Sequence, residues 1–138
     1  MHCLTLPVNN NQILINVTAN AHESPEADGV KPLHEADQFR ALVDTGAMRS
    51  CITPNVADAL DVQPIDKQKV YTAGGPVYQN VYVIDVHVHI DTEVKTFSGM
   101  EVFETAATPL RRYDILLGMD VIMQGELHVV GGQFTFCV

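Results

Sequence analysis

The segment of this sequence best equipped for chemistry is Asp44-Thr45-Gly46-Ala47. An apolar run, Ala41-Leu42-Val43, leads straight into it. A strand there would deliver the Asp44 carboxylate to a turn, and Gly46 lets the backbone turn tightly without a Cβ. The Thr45 hydroxyl is expected to hydrogen-bond neighbouring backbone and hold the loop rigid. The competing reading is an ordinary β-turn, since Asp, Thr and Gly are common turn residues. On three residues alone the turn prevails.

Other reactive side chains have weaker contexts. Asp85, His87 and His89 share one face of a predicted strand, which would suit a metal. Polar alternation on an exposed face explains them more simply, and no metal site is expected. His34-Glu35-Ala36-Asp37 lacks the second His of a His-Glu-x-x-His zinc signature. Cys51 has no neighbouring His implied by its spacing and reads as core packing. Ser50 and Ser98 have no triad context. No cofactor is expected.

The elements that must position Asp44 are mostly strands. Ile13, Ile15 and Val17 alternate with Leu14, Asn16 and Thr18, the period of two of a half-buried strand. In Val81–Ile90, residues Tyr82, Ile84, Val86, Val88 and Ile90 fall on one face. Further strands are expected at Gln38–Val43, Lys69–Ala73, Val94–Phe97, Gly99–Phe103, Tyr113–Leu117, Leu127–Val130 and Phe134–Val138, with turns at Gly74-Gly75-Pro76, Ser98-Gly99 and Gly131-Gly132. Helix signals are few. Thr53 and Pro54 read as N-cap and first helical residue of a short Asn55–Leu60 helix, and Gly118–Gln124 allows another turn or two. The pattern is mainly β, with one or two short helices.

Composition bounds the rest. The chain has 138 residues, in the range of a single domain spanning 1–138. Residues 22–36, acidic and containing Pro25, Gly29 and Pro32, read as a surface loop. A net charge of −9 argues against nucleic acid, which needs Lys and Arg to displace phosphate counterions, and against an anionic membrane. No run approaches the ~20 apolar residues of a membrane helix, and no basic n-region marks a signal peptide. Three cysteines do not make a disulfide framework. A reduced, cytoplasmic chain is expected, in which Asn16-Val17-Thr18 is strand rather than glycosylation acceptor.

Two segments lift Asp44 above a turn. Ile115-Leu116-Leu117-Gly118 is a second apolar strand ending in Gly, and Val70-Tyr71-Thr72-Ala73-Gly74-Gly75-Pro76-Val77-Tyr78 reads as a Gly-tipped hairpin between the two. In order and spacing, from about Gln12 onward, the sequence resembles the retropepsin-like aspartic proteases, most closely their cellular and bacterial branches. The resemblance implies a closed β-barrel-like acid-protease fold, one lobe per chain. It makes Asp44 the catalytic carboxylate, with Thr45, Gly46 and Ala47 as its loop. Leu116, Leu117 and Gly118 become the supporting strand, and Tyr71, Thr72, Ala73, Gly74, Gly75 and Val77 the substrate-binding flap. Retroviral members carry Asp and Arg where this chain has Met48 and Met119, so Arg49 and Asp120 are expected to do that tying job.

Mechanism follows from counting carboxylates. Aspartic-protease chemistry needs two that share a proton, because adjacent like charges do not both ionise. This chain has one Asp-Thr-Gly. The resemblance therefore implies a two-fold homodimer cleaving an extended peptide or protein substrate, with Asp44 supplied by each subunit. The terminal segments 2–6 and 133–138 would interleave as dimerisation strands, the alternative being plain edge strands within one subunit. Oxidation of Cys3 and Cys137 would then modulate dimerisation. The rival reading is a catalytically inactive peptide-binding or dimerisation module on the same fold.

Overall fold

The computed structural model describes residues 1–22, 37–105 and 112–138. Most of the expected surface loop at 22–36, and His34-Glu35-Ala36 with it, lies outside the described residues. In chain order the elements are β1 (Cys3–Pro7), β2 (Leu14–Ala21), β3 (Asp37–Val43), β4 (Cys51–Ile52), α1 (Pro54–Leu60), β5 (Asp66–Thr72), β6 (Gly75–Ile90), β7 (Glu93–Glu104), β8 (Ile115–Leu117), α2 (Met119–Ile122), β9 (Glu126–Val130) and β10 (Gln133–Cys137).

Six strands close into a barrel. Neighbours run β2-β3-β8-β4-β7-β6, and a further β2–β6 ladder joins the ends. Closure leaves these strands no free edge. The alternation seen in the sequence fills the interior. Ile15, Val17 and Ala19 of β2 are buried, as are Tyr82, Ile84, Val86, Val88 and Ile90 of β6. Burying each large aliphatic side chain here contributes roughly 1.5–3 kcal/mol relative to exposure.

One predicted turn is something else. Val94–Phe97 and Gly99–Phe103 form the single strand β7 rather than two strands. Opposite Asp85 the ladder shifts register, from Ile84↔Met100 to Val86↔Phe97, so β7 carries one extra residue there. Gly99 sits in this bulge at φ +65, a conformation that favours glycine. The extra residue switches the inward parity of β7, and Phe97 and Val102 both point into the core. Asp85 fills the gap: its Oδ1 accepts from the Gly99 N–H at 2.8 Å and the Ser98 hydroxyl at 3.1 Å.

The exposed histidine face is also corrected in part. His87 is buried, its Nδ1 2.8 Å from the Thr96 hydroxyl and its Nε2 bonded to Asn20 Oδ1. His89 is exposed and lies 2.7 Å from the Thr18 hydroxyl.

The terminal segments build a second sheet, ordered β1-β10-β9. Leu4, Phe136 and Leu127 align across it, as do Leu6, Phe134 and Val129. Phe134 and Phe136 are fully buried. Both edges of β10 are thus taken within one chain. Cys3 and Cys137 stand opposite each other in the ladder and form a disulfide, which corrects the reduced chain expected from the cysteine count. Cys51 stands outside the disulfide and is half-buried in β4 rather than in the core.

Candidate active site

Asp44 leaves the barrel at the end of β3. There β8 lies between two strands that flank the Asp44–Ser50 loop, parallel to β3 and antiparallel to β4. Val43 stands opposite Leu117, and the next residue on each strand begins the site. The Asp44 N–H donates to the Leu117 carbonyl at 2.9 Å, extending that ladder by one bond. Two residues on, the Gly46 N–H donates to Asp44 Oδ1 at 2.8 Å. A Cβ at Gly46 would lie 3.1 Å from that same oxygen, so the absence of a side chain there lets backbone and carboxylate meet.

The loop is clamped from below by Gly118. Its N–H donates to the Ser50 hydroxyl at 3.1 Å, and the Met119 N–H donates to the Ala47 carbonyl at 2.8 Å. A Cβ on Gly118 would come within 2.7 Å of the Ala47 carbonyl oxygen and 3.0 Å of the Arg49 carbonyl. This close backbone crossing explains why the second apolar strand ends in glycine.

Asp120 completes the clamp, with a partner the sequence did not suggest. Its Oδ1 accepts from the Ser50 hydroxyl at 2.7 Å and its Oδ2 from the Ser50 N–H at 2.9 Å. Arg49 does not take part. Its guanidinium lies 4.0 Å from Glu101 and 5.9 Å from the Phe103 ring centre. Ser50 is fully buried, and a lone serine four residues past Gly46 carries no signal of that role in sequence. Thr45 is exposed, and its hydroxyl forms no hydrogen bond among the described residues. Gly46, Ser50 and Gly118 supply the rigidity expected from Thr45.

The structure therefore brings together Asp44, Thr45, Gly46, Ala47, Leu116, Leu117 and Gly118. The remaining expected site residues lie on a separate ribbon. There β5 pairs with the first half of β6, and Thr72 opposite Gly75 leaves Ala73-Gly74 as a two-residue tip. Gly75 holds φ +106. Tyr71 and Tyr78 are 78% and 71% exposed, so neither packs on the body of the chain.

A carboxylate delivered by a barrel strand into a loop cross-braced by an apolar-apolar-Gly strand defines an acid-protease lobe. Residues 33–121, more than half of the chain, match the aspartyl protease family, and the chain belongs to that family. Its fold is that of the retropepsin-like members. A retropepsin-like aspartic protease from Rickettsia conorii superposes with a TM-score of 0.63 at 15% identity, over 97% of this chain and 89% of that one. Simian foamy virus (mac) protease aligns with a TM-score of 0.49 at 21% identity, over 80% and 92%. The retroviral protease-like domain of Ddi1 from Leishmania major aligns at 0.46 and 14% identity, over 85% and 81%. No curated protein matches the sequence.

Proposed function

We propose that the protein is a homodimeric aspartic endopeptidase in which a water sits between two Asp44 carboxylates, one from each subunit. The observation that carries this reading is the fixed Asp44 carboxylate, held by Gly46 on a loop braced through Ser50 and Gly118, and present once per chain. One carboxylate, ionised, takes a proton from the water; the other, protonated, donates to the peptide carbonyl as the water adds.

The surface beside the site supports the two-fold arrangement. Met48, next to the Asp44 loop, is 84% exposed, an apolar side chain suited to being covered by a second copy. Because β10 is already flanked by β1 and β9, contacts between terminal sheets would use the outer edge of β1 or β9.

The test compares wild type with Asp44→Asn on a peptide library from acid to neutral pH, alongside sedimentation. Cleavage by wild type, its loss in Asp44→Asn and a dimer at working concentration are expected. A wild type that cuts nothing, a variant that cuts equally well, or a strictly monomeric active protein overturns the reading.

A further inference from the structure

The β5–β6 ribbon has two unlike faces. Its register places Lys67 opposite Asn80, Lys69 opposite Tyr78 and Tyr71 opposite Pro76, so these six side chains share one side. Gln68, Val70, Val77 and Gln79 take the other, together with Asp66. Lys67, Lys69, Tyr71 and Tyr78 are all exposed. The Lys69 ammonium stands 5.3 Å from the Tyr71 ring centre. At the base of this face Glu104 is occupied, accepting from Asn80 Nδ2 at 2.7 Å. In a chain of net charge −9, two cations and two open aromatic rings thus gather on one side of one ribbon.

Among the described residues its outer edge is also open: β5 ends the sheet order and pairs with β6 alone. An extended peptide can add to such an edge through main-chain hydrogen bonds, its alternate side chains lying over one face. Lys67 and Lys69 are two residues apart, about 6.7 Å along a strand, the same repeat as alternate side chains of the incoming peptide.

We propose that this face recognises an extended acidic segment of the substrate, with carboxylates at alternate positions paired to Lys67 and Lys69 and an apolar neighbour laid on Tyr71 and Tyr78. The assignment names a substrate class for the proposed endopeptidase and rests on that reading for its consequence in cleavage. Lysines on an edge strand also deter strand-to-strand aggregation. Any charge serves that purpose, whereas recognition of an acidic segment requires a positive one, and charge reversal separates the two.

The experiment measures binding of fluorescent ten-residue peptides carrying Glu-x-Glu, Gln-x-Gln or Lys-x-Lys to the full-length Asp44→Asn protein, which keeps peptides intact. The acidic peptide is expected to bind roughly three- to tenfold tighter than the Gln peptide at low salt, the range of two exposed ion pairs. That margin should shrink at about 0.5 M salt. In the Asp44→Asn background, Lys67→Glu/Lys69→Glu should reverse the preference toward the Lys peptide while the protein stays folded and soluble. Equal binding of the three peptides, or an unchanged preference after charge reversal, overturns the proposal. Wild-type cleavage of the same peptides keeps the two readings apart. Charge-selective binding without any cleavage sinks the endopeptidase and leaves the surface; cleavage indifferent to peptide charge sinks the surface and leaves the endopeptidase.

Discussion

Ser50 and Asp120, 70 residues apart, make a two-point contact in which one carboxylate takes both the hydroxyl and the backbone N–H of a single serine. The same hydroxyl accepts from Gly118, so the Asp44–Ser50 loop and the β8–α2 junction meet on one buried oxygen. Ser50→Ala leaves the Gly118 N–H without its acceptor and removes one of three donors, the others being the Ser50 and Val121 N–H groups, from the Asp120 carboxylate. Leaving such a group unmet in the interior costs about 1–3 kcal/mol. We expect Ser50→Ala to lower unfolding free energy by that amount in denaturant titration. Asp120→Asn should also destabilise, because with its amide oxygen on the Ser50 hydroxyl its NH2 faces the Ser50 N–H, a donor against a donor. Equal stability of Ser50→Ala and wild type would remove the clamp from the account.

Gly118 gives a steric test of the same crossing. An alanine Cβ there meets the Ala47 carbonyl oxygen at 2.7 Å, and backbone does not yield as a flexible side chain would. Overpacking of this kind costs about 1–3 kcal/mol. Gly118→Ala should lower the melting temperature and, by displacing the loop that carries Asp44, reduce cleavage more than its stability loss explains. Gly75→Ala is the control for glycine loss at a turn. Its Cβ would meet no atom within 4 Å, although its φ of +106 is unfavourable for alanine. A larger stability loss at position 75 than at 118 would argue against the tight crossing.

Acid should weaken the fold through two groups of the β6 network. Burial pushes the His87 imidazole below its ordinary 6.5, the Asp85 charge opposing and His89 adding to the effect. Below 6.5 the unfolded chain therefore binds a proton that folded His87 declines, and stability falls as pH drops toward the folded value. For Asp85, burial acts to raise the carboxyl, but hydrogen bonds from Gly99, His22 and Ser98, with the His22 charge, hold it below 3.8. Its stabilisation is present above 3.8 and is lost as pH falls through its depressed folded value. Melting temperature followed from pH 8 downward should begin to drop below about 6.5. His87→Gln should flatten that first decline whatever its effect on absolute stability. An unchanged slope would show that His87 is not its source.

Much of this architecture was legible in the residues. The alternation of Ile15 with Val17, and of Tyr82 through Ile90, marked the barrel strands, because a sheet with one buried face repeats every two residues. Asp44, Gly46 and Gly118 could be singled out because close backbone approach limits what can stand there. What escaped was long-range. Ser98-Gly99 carries turn chemistry, and only its pairing with Ile84 and Val86 makes it a bulge. His87 looks like a solvent-facing polar residue until Asn20 and Thr96 close over it. Ser50 and Asp120 meet through a loop and a helix that no local pattern brings together.

The disulfide is the clearest of these long-range cases, since it joins residues 134 positions apart. Cys3 and Cys137 are brought opposite each other by the β1–β10 ladder, whose register is set by Leu4 and Leu6 lying against Phe136 and Phe134. Closing a loop of that length removes much of the freedom of the unfolded chain, worth about 4–5 kcal/mol in the loop-entropy treatment. Reduction, or Cys3→Ala, should therefore lower stability by an amount of that order and loosen β1 before the barrel. The barrel keeps its own closed ladder, so amide exchange should quicken first at His2–Leu6 and only later in β2 and β6. Thiol titration of the denatured, unreduced protein should count one free group per chain, from Cys51. Three free thiols, or exchange rates in β1 that ignore reductant, would remove the cross-link from the structure's account of its own stability.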